Sequence, residues 1–310
     1  MRYLLGLFLC SFILPIMTTH AQSDTPTSAC GNSMLITYGF NEREITLNGE
    51  TRNLLFYIPE SYDNTLAVPL ILSLHGFASS PNQQSSYSDW HDLAEAEGFI
   101  VAYPQGTGFP LRWNSGDLGV RLGNVADDVG YINALMDWFI TNWCIDETRI
   151  YVNGLSNGGG MTDRLACELS ERIAAVGMVA GAYNPLEDGC DSTRPMPVIA
   201  FHGTSDSIVP YDGLSNRLFD FPSVESWAQT WAERDGCQPE ADSLTVTDDV
   251  TQTRYSDCEN GVEVTLYTIE DGNHVWYGAD LGFSFGKVNA IDATTTIWAF
   301  YQRFSLMNDQ

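Results

Sequence analysis

The sequence predicts the α/β class: a mostly parallel, twisted sheet with helices on both faces and an antiparallel hairpin at its N-terminal end. Residues 44–59 alternate apolar and polar side chains around the turn sequence Asn48-Gly49, which is typical of a β-hairpin. Five later apolar runs lack this alternation, as strands buried on both faces do. Stretches with helical spacing separate these runs, and such an order of elements favours a parallel sheet.

The expected elements can be placed along the chain. The buried strands are predicted at residues 69–75, 98–103, 149–153, 174–180 and 197–201. The helices are predicted at residues 88–97, 127–143, 157–169, 224–235 and 289–304. Asp127 and Asp128 open the second of these helices, where carboxylates complement the positive end of the helix dipole. We interpret this acidic pair as structural.

The first 21 residues predict a secretory signal peptide. Arg2 gives a positive start, an apolar run covers residues 4–17, and Ala21 ends a stretch with small residues suited to cleavage. The run is too short for a spanning helix of about 20 residues. We therefore expect a secreted protein, extracellular or periplasmic, in which residues 22–310 form one catalytic domain without a membrane segment.

The charge and the cysteines narrow the class of protein further. The chain has 14 basic and 40 acidic residues, and a net charge of −26 repels nucleic acid and anionic membranes. Removing Cys10 with the signal leaves six cysteines, an even set that indicates three disulfides in an exported chain. The positions of the six cysteines in the sequence do not show which of them pair with one another. No cysteine or histidine spacing indicates a structural zinc site, and no metal is expected.

The stretch Gly154-Leu-Ser156-Asn-Gly158 carries the main chemical signal. It joins a predicted strand to a predicted helix, which is the context of the Gly-x-Ser-x-Gly nucleophile elbow of α/β-hydrolases. The sharp turn needs small residues on either side of the serine. Ser156 is therefore the candidate nucleophile, with a plain glycine-rich turn as the alternative.

A serine nucleophile needs a histidine as its base, and the mature chain has four candidates: His75, His91, His202 and His274. Two of them, His75 and His202, end predicted strands before a glycine, and His91 falls within a predicted helix. His274 lies in a loop between the last strand and the final helix. This is where the hydrolase fold presents its base, so His274 is the candidate.

The acid should follow a strand between the serine and the histidine, because the hydrolase order is Ser, Asp or Glu, then His. Asp206 comes just after the strand at residues 197–201. Asp212 and Asp191 lie farther from a strand and are the alternatives. The task of this carboxylate is to hold the imidazole tautomer.

An oxyanion hole needs the backbone N–H after the nucleophile and a second N–H from an earlier loop. Asn157 supplies the first. Phe77, which follows His75-Gly76 at the end of a strand, is the candidate for the second. The alternative is an ordinary strand-to-helix turn.

Eight motifs, in one order along residues 52–304, resemble the secreted polyhydroxybutyrate depolymerase and feruloyl esterase group of α/β-hydrolases, related to carbohydrate esterase family 1. They are Leu74-His-Gly-Phe77, Tyr103-Pro-Gln-Gly106, Arg112-Trp-Asn114, Asp127-Asp-Val-Gly130, Gly154-Leu-Ser-Asn-Gly-Gly159, His202-Gly-Thr-Ser-Asp206, Val209-Pro-Tyr211 and Gly272-Asn-His-Val-Trp276. The resemblance implies an α/β-hydrolase fold, the triad Ser156, Asp206 and His274, and no cofactor.

The resemblance also implies a partner and a disulfide scheme. The substrate would be a carboxylic ester, either a feruloylated plant cell-wall polysaccharide or a polyester, and we expect the enzyme to be a monomer. The implied pairs are Cys30–Cys144, Cys167–Cys190 and Cys237–Cys258.

Three aromatic residues near the motifs, Trp113, Trp276 and Tyr277, are candidates for substrate binding, because their rings suit an aromatic acyl group or a polyester chain. They are equally suited to a core. Two other functions stay open at this point: a serine exopeptidase of the same fold, and a non-catalytic binding protein on a hydrolase scaffold.

Overall fold

A computed structural model describes residues 29–32, 35–116, 123, 126–186, 189–216, 219–279 and 287–306. The predicted signal peptide, residues 1–21, lies outside them. The strands are β1 (Gly39–Leu47), β2 (Glu50–Ile58), β3 (Val68–Leu74), β4 (Ile100–Pro104), β5 (Ile145–Leu155), β6 (Ala175–Val179), β7 (Val198–Gly203), β8 (Leu214–Ser215), β9 (Asp220–Phe221), β10 (Asp242–Thr247), β11 (Val250–Tyr255) and β12 (Val264–Ile269). The helices are α1 (Pro81–Ser88), α2 (Trp90–Glu97), α3 (Asp128–Asn142), α4 (Asn157–Glu168), α5 (Val224–Arg234) and α6 (Ala293–Tyr301).

A ten-stranded sheet runs through the molecule in the order β1-β2-β4-β3-β5-β6-β7-β12-β11-β10. The six central strands, from β4 to β12 in this order, are parallel to one another. At one edge β1 and β2 form the antiparallel hairpin, and at the other β10 and β11 run antiparallel beside β12. The predicted α/β class and the N-terminal hairpin are confirmed.

The two faces of the sheet carry separate cores, because side chains alternate along a strand. Leu70, Leu72 and Leu74 of β3 face a core that α3, α4 and α5 cover. Ile71 faces the opposite core, where α2 and α6 contribute buried aromatic and aliphatic side chains. The central strands are therefore covered on both sides, which explains their unbroken apolar sequences.

The acidic pair at the start of α3 has the structural role that the sequence predicts. Asp127 is the N-cap of α3, where its carboxylate accepts a hydrogen bond of 2.8 Å from the Gly130 N–H. The buried Asp128 accepts at 2.6 Å from Arg52 and at 2.6 Å from the Asn114 N–H. Both carboxylates are thus used within the fold.

The structure forms the disulfides Cys30–Cys144, Cys167–Cys190 and Cys237–Cys258, which are the pairs that the resemblance implied. The first ties the N-terminal segment to the start of β5. Among the helices that the structure describes, none combines the length and the apolar character needed to cross a membrane.

Candidate active site

Ser156 occupies a strained turn between β5 and α4. Its φ of 56° and ψ of −118° lie where residues other than glycine are rarely found. The turn is possible because the residues two positions before and after the serine are glycines: a Cβ on Gly154 would lie 2.4 Å from the Gly158 carbonyl carbon, and one on Gly158 would lie 2.3 Å from the Leu74 oxygen. This is the geometry expected of a nucleophile elbow.

Two backbone N–H groups flank the serine. The Asn157 N–H belongs to the first residue of α4, where no helical partner exists. Phe77 follows Gly76, and a Cβ on Gly76 would lie 3.4 Å from Ser156 Cβ, so this loop packs against the serine. Among the described residues, none accepts a hydrogen bond from the N–H of Asn157 or Phe77. Both donors are available to a developing oxyanion.

The Asn157 side chain fastens the elbow to the segment that carries Trp113. Its Oδ1 accepts from the Trp113 N–H at 2.7 Å, and its Nδ2 donates to the Trp113 carbonyl at 3.1 Å and to Ser115 Oγ at 3.0 Å. The Trp113 indole N–H in turn donates to the His75 carbonyl at 2.9 Å. The buried Trp113 therefore connects the elbow at Asn157 to the loop that begins at His75, the two segments that carry the candidate oxyanion donors.

Asp206 and His274 form the second half of the site. His274 Nδ1 donates to Asp206 Oδ2 at 2.7 Å, and the other carboxylate oxygen accepts from the N–H groups of Ile208 and Val209, each at 2.9 Å. Asp206 is buried, which by itself would raise its pKa, but hydrogen bonds from His202 and His274 hold that pKa well below its usual range. The group is a carboxylate at neutral pH.

Ser156, Asp206 and His274 follow three parallel strands, β5, β7 and β12, at the same end of the sheet. β5, β7 and β12 are parallel, with only β6 between the first two, so the residues that follow them meet at their carboxyl ends. Within the described part of the chain, Ser156 Oγ makes no hydrogen bond to the His274 imidazole. Catalytic hydrogen bonds are often long in enzymes without substrate.

The alternative acids, Asp212 and Asp191, are exposed, and among the described residues neither hydrogen-bonds to His274. Of the remaining histidines, His75 is buried, accepts from the Gly106 N–H at 2.9 Å and bonds to the Gly76 carbonyl at 2.8 Å. Burial lowers its pKa to about 4, so it is neutral. His75 thus shapes the Phe77 loop.

The structure corrects the prediction that Trp113, Trp276 and Tyr277 contact substrate. All three side chains are buried, with at most 2% of their surface exposed. The Trp276 indole donates to Thr294 Oγ1 at 2.9 Å, and the Tyr277 hydroxyl donates to the Asn273 carbonyl at 2.8 Å. These rings anchor the loop that presents His274.

Sequence reasoning missed two features of the site. One is a second imidazole on the acid: His202 Nε2 lies 3.3 Å from Asp206 Oδ2, and both side chains are buried. The spacing His202-x-x-x-Asp206 across a strand end was the available signal. The other is a pair of exposed apolar side chains beside the catalytic residues, Phe77 at 48% exposure and Ile208 at 62%.

One group of described side chains has the spacing of metal ligands. Asp89, His91 and Asp92, at the junction of α1 and α2, place ligand atoms within 4.8 Å of one another. His91 Nε2 already lies 3.7 Å from Asp92 Oδ1. This group includes none of the residues that converge near Ser156.

Comparison with known proteins identifies the family. Residues 54–209, about half of the chain and including Ser156 and Asp206, match the family model described as esterase PHB depolymerase. The chain belongs to this esterase family. The matched range ends before His274.

Named relatives of this esterase family member are esterases. Feruloyl esterase B from Piromyces equi is 30% identical over 76% of the chain and 45% of its own length. The bifunctional acetylxylan esterase/xylanase XynS20E from Neocallimastix patriciarum is 29% identical over 71% of the chain and 28% of its own length. The chain thus spans less than half of these two relatives. Feruloyl esterase C from Emericella nidulans is 29% identical over 88% of the chain and 89% of its own length.

Solved structures share the fold. An acetyl xylan esterase from Aspergillus awamori matches with a TM-score of 0.60 and 16% identity over 84% of this chain and 99% of its own. A putative dienelactone hydrolase from Klebsiella pneumoniae matches with a TM-score of 0.52 and 14% identity over 85% of this chain and 98% of its own. The predicted α/β-hydrolase fold is confirmed.

Proposed function

We propose that this protein is a secreted carboxylic ester hydrolase that works through an acyl-serine. One observation carries the proposal: the Asp206–His274 pair and the strained Ser156 elbow follow parallel strands at the same end of the sheet. Two backbone N–H groups beside the serine have no partner among the described residues. Family membership and the esterase relatives support the same reaction class.

The reaction follows from these groups. Ser156 Oγ attacks the ester carbonyl carbon while His274 Nε2 takes the hydroxyl proton. The N–H groups of Asn157 and Phe77 bind the oxyanion of the tetrahedral intermediate. The C–O bond to the alcohol then breaks, and His274 returns the proton to the leaving oxygen. Water, deprotonated by the same imidazole, cleaves the acyl-enzyme and releases the carboxylic acid.

Asp206 keeps His274 in the required tautomer. Because Nδ1–H is held by the carboxylate, the lone pair of the neutral ring is on Nε2, the atom that must accept the proton. The negative charge of Asp206 also stabilises the imidazolium while it exists. No step of this reaction requires a group from outside the protein other than water.

The exposed side chains favour an ester with an apolar acyl group. Phe77 is the residue of the candidate oxyanion donor and Ile208 lies two residues after Asp206, and both are exposed apolar side chains. A hydroxycinnamoyl ester of a plant polysaccharide fits such a rim, and the feruloyl esterase relatives support it. A polyester is the second candidate, favoured by the description of the family model.

Export as a monomer completes the proposal. Three disulfides are typical of proteins that mature outside the cytoplasm. A net charge of −26 opposes self-association through its repulsion. Non-reducing gel analysis and light scattering of protein from the culture medium test these two points.

A fluorophosphonate probe tests the chemistry, because it labels only an activated serine. We expect the protein to be labelled and to show a burst of p-nitrophenol from an activated ester. Ser156→Ala should lose both, while Ser207→Ala, an exposed serine in the Asp206 loop, should keep both. Unlabelled protein, or turnover unchanged in Ser156→Ala, would reject the proposal.

A substrate panel tests the ester class. Methyl ferulate, acetylated xylan, amorphous polyhydroxybutyrate and an amino-acid p-nitroanilide separate the two ester candidates from an acetyl esterase and an exopeptidase. We expect the highest kcat/KM with methyl ferulate. A preference for the anilide would exclude the ester assignment even if Ser156 were the nucleophile.

A further inference from the structure

Two imidazoles share one oxygen of the acid. Asp206 Oδ2 lies 2.7 Å from His274 Nδ1 and 3.3 Å from His202 Nε2. The side chains of Asp206 and His202 are completely buried, whereas 12% of the His274 side chain is exposed. His202 therefore approaches the carboxylate from inside the protein, while His274 reaches it from the substrate side.

The contacts of His202 define its tautomer. Its Nε2 lies 2.9 Å from the Val209 carbonyl oxygen, which can only accept, so Nε2 carries a proton. That N–H is directed to the Val209 oxygen, and Asp206 Oδ2 lies 3.3 Å from the same nitrogen. Nδ1 is buried and has no hydrogen-bond partner among the described residues.

These bonds close the short segment that holds the acid. His202 is the last residue but one of β7, Asp206 follows the turn, and the Val209 N–H returns to the Asp206 carboxylate at 2.9 Å. The His202 N–H joins both ends of this segment, the carboxylate and the Val209 carbonyl. If a side chain without an N–H replaced His202, the Asp206 carboxylate and the Val209 carbonyl oxygen would each lose one partner.

The other groups around His202 are neutral or remote. The rings of Tyr183 and Tyr211 lie 6.5 Å and 6.1 Å from its ring, centre to centre. Burial raises the pKa of Tyr183 well above its usual value and that of Tyr211 to about 12. Beyond these rings lie the carboxylates of Asp163 and Glu225. Asp206 is thus the one carboxylate in direct contact with His202 among the described residues.

We propose that His202 is a positioning residue for the ester hydrolysis described above: its Nε2–H orients the Asp206 carboxylate and moderates its pull on the His274 imidazole. The inference rests on the proposed function. A donor on Oδ2 shares the negative charge of that oxygen, so less of it is available to stabilise protonated His274. The base therefore stays unprotonated, and able to accept the serine proton, at lower pH.

Two substitutions separate this role from packing. His202→Leu removes the N–H, whereas His202→Gln retains an N–H donor near the position of Nε2. For His202→Leu we expect kcat to fall about tenfold with KM unchanged, and the midpoint of the acid limb of the kcat/KM profile to rise by about half a pH unit. In His202→Gln, kcat should stay within about twofold of the parent value, and the midpoint of the acid limb should stay within about 0.2 pH unit.

Controls keep the comparison decisive. Rates are expressed per serine labelled by fluorophosphonate, so unfolded protein does not count, and His91→Leu, on the surface of α2, should leave the profile unchanged. If His202→Leu does not fold, His202→Asn replaces it, because its shorter amide is too far from the carboxylate. An acid limb that stays in place in the variant without the donor, or that moves equally in His202→Gln, overturns the inference.

The inference and the proposed function fail in different ways. If the unmodified enzyme is not labelled by fluorophosphonate, or Ser156→Ala retains its turnover, the function itself is wrong. If labelling and the serine requirement hold while His202→Leu behaves as the unmodified enzyme does, only the role of His202 is rejected.

Discussion

The Asn157 side chain and the Trp113 backbone are joined by two hydrogen bonds, of 2.7 Å and 3.1 Å, directly behind the nucleophilic elbow. Asn157 is also the residue whose backbone N–H we propose as a donor to the oxyanion. Orientation of that donor therefore depends on the hydrogen bonds of a buried side chain. A loss of this clamp should affect the transition state more than the ground state, because the oxyanion forms only as Ser156 attacks.

Asn157→Ala tests the clamp. We expect kcat to fall by about 10-fold to 100-fold with KM nearly unchanged, and the free energy of unfolding to fall by about 1–3 kcal/mol, since buried partners are left unpaired. Asn184→Ala is the matched control: its amide also contacts Ser115, at 3.2 Å, but no oxyanion donor. It should lose stability and keep kcat. Equal losses of kcat in the two variants would contradict the assignment.

Asp206→Asn tests the acid. The amide keeps the shape of the carboxylate but removes its charge and disturbs the tautomer of His274, so kcat should fall by roughly 10²–10⁴-fold. The loss should be smaller than that of Ser156→Ala or His274→Ala. Asp212→Asn, at the exposed alternative, should retain activity within about twofold. The measurement is kcat for the four variants. If Asp206→Asn kept its kcat and Asp212→Asn lost it, Asp212 would be the acid of the triad.

The elements that sequence reasoning predicted are those with a clear apolar pattern, either a periodic one or an unbroken apolar run. α1 was missed because Pro81–Ser88 contains almost no apolar residues, although Ser80 as N-cap, accepting from the Gln83 N–H, and Pro81 at the first helical position were available signals. β10 is exposed at all six positions, so its sequence has no alternation of buried apolar and exposed polar residues that would predict a strand. The triad candidates followed from chain order, because strand ends define where such residues meet.

What the sequence did not predict depends on the direction of side chains. Trp113 has its indole partner 38 residues away, at the His75 carbonyl. Trp276 has its partner at Thr294, across the loop and on another element. No local sequence pattern shows that such partners exist. In the sequence, a buried tryptophan therefore cannot be distinguished from an exposed one that could stack on substrate. The spacing His202-x-x-x-Asp206 placed the second imidazole near the acid, but spacing alone does not show that the ring turns back toward the carboxylate.

Asp235 predicts a pH dependence of stability that is separate from catalysis. Burial raises its pKa from 3.8 to about 7, and one of its two oxygens has no hydrogen-bond partner among the described residues. A carboxyl group with a raised folded-state pKa gives its full stabilisation below the unfolded pKa. That stabilisation falls as pH rises and is lost above the folded pKa. The window is therefore about pH 4 to 7.

Asp235→Asn should remove this dependence. From pH 5 to pH 8 we expect the unmodified protein to lose about 2–3 kcal/mol of unfolding free energy relative to the variant, at 1.36 kcal/mol for each unit of pKa difference. Asp248→Asn, an exposed change of the same charge, is the control and should run parallel to the unmodified protein. Urea unfolding at several pH values measures the difference. A variant with the same pH slope as the parent would show that Asp235 titrates normally.

Ile208→Ser tests the apolar rim. Ile208 is 62% exposed two residues after the triad acid, and its side chain, unlike its N–H, makes no contribution to holding Asp206. Loss of about 1 kcal/mol of apolar contact should raise KM for methyl ferulate about fivefold and leave hydrolysis of an acetyl ester unchanged. Leu244→Ser, 59% exposed on the distant edge strand β10, is the control. If both variants bind the ferulate ester as the parent does, the acyl group lies elsewhere.

Contact between His274 and Ser156 is the remaining requirement of the mechanism. The two residues end or follow parallel strands at one edge of the sheet, yet no hydrogen bond joins the hydroxyl to the imidazole in the described part of the chain. Because the hydrolysis needs direct proton transfer, a crystal structure of the phosphonylated enzyme should show His274 Nε2 within about 3.2 Å of Ser156 Oγ or of the phosphonate oxygen that replaces the leaving group. His274→Gln should fold normally and react with the probe at least about 100-fold more slowly. An adduct in which the imidazole stays beyond reach while the enzyme turns over at full rate would assign the base to another residue.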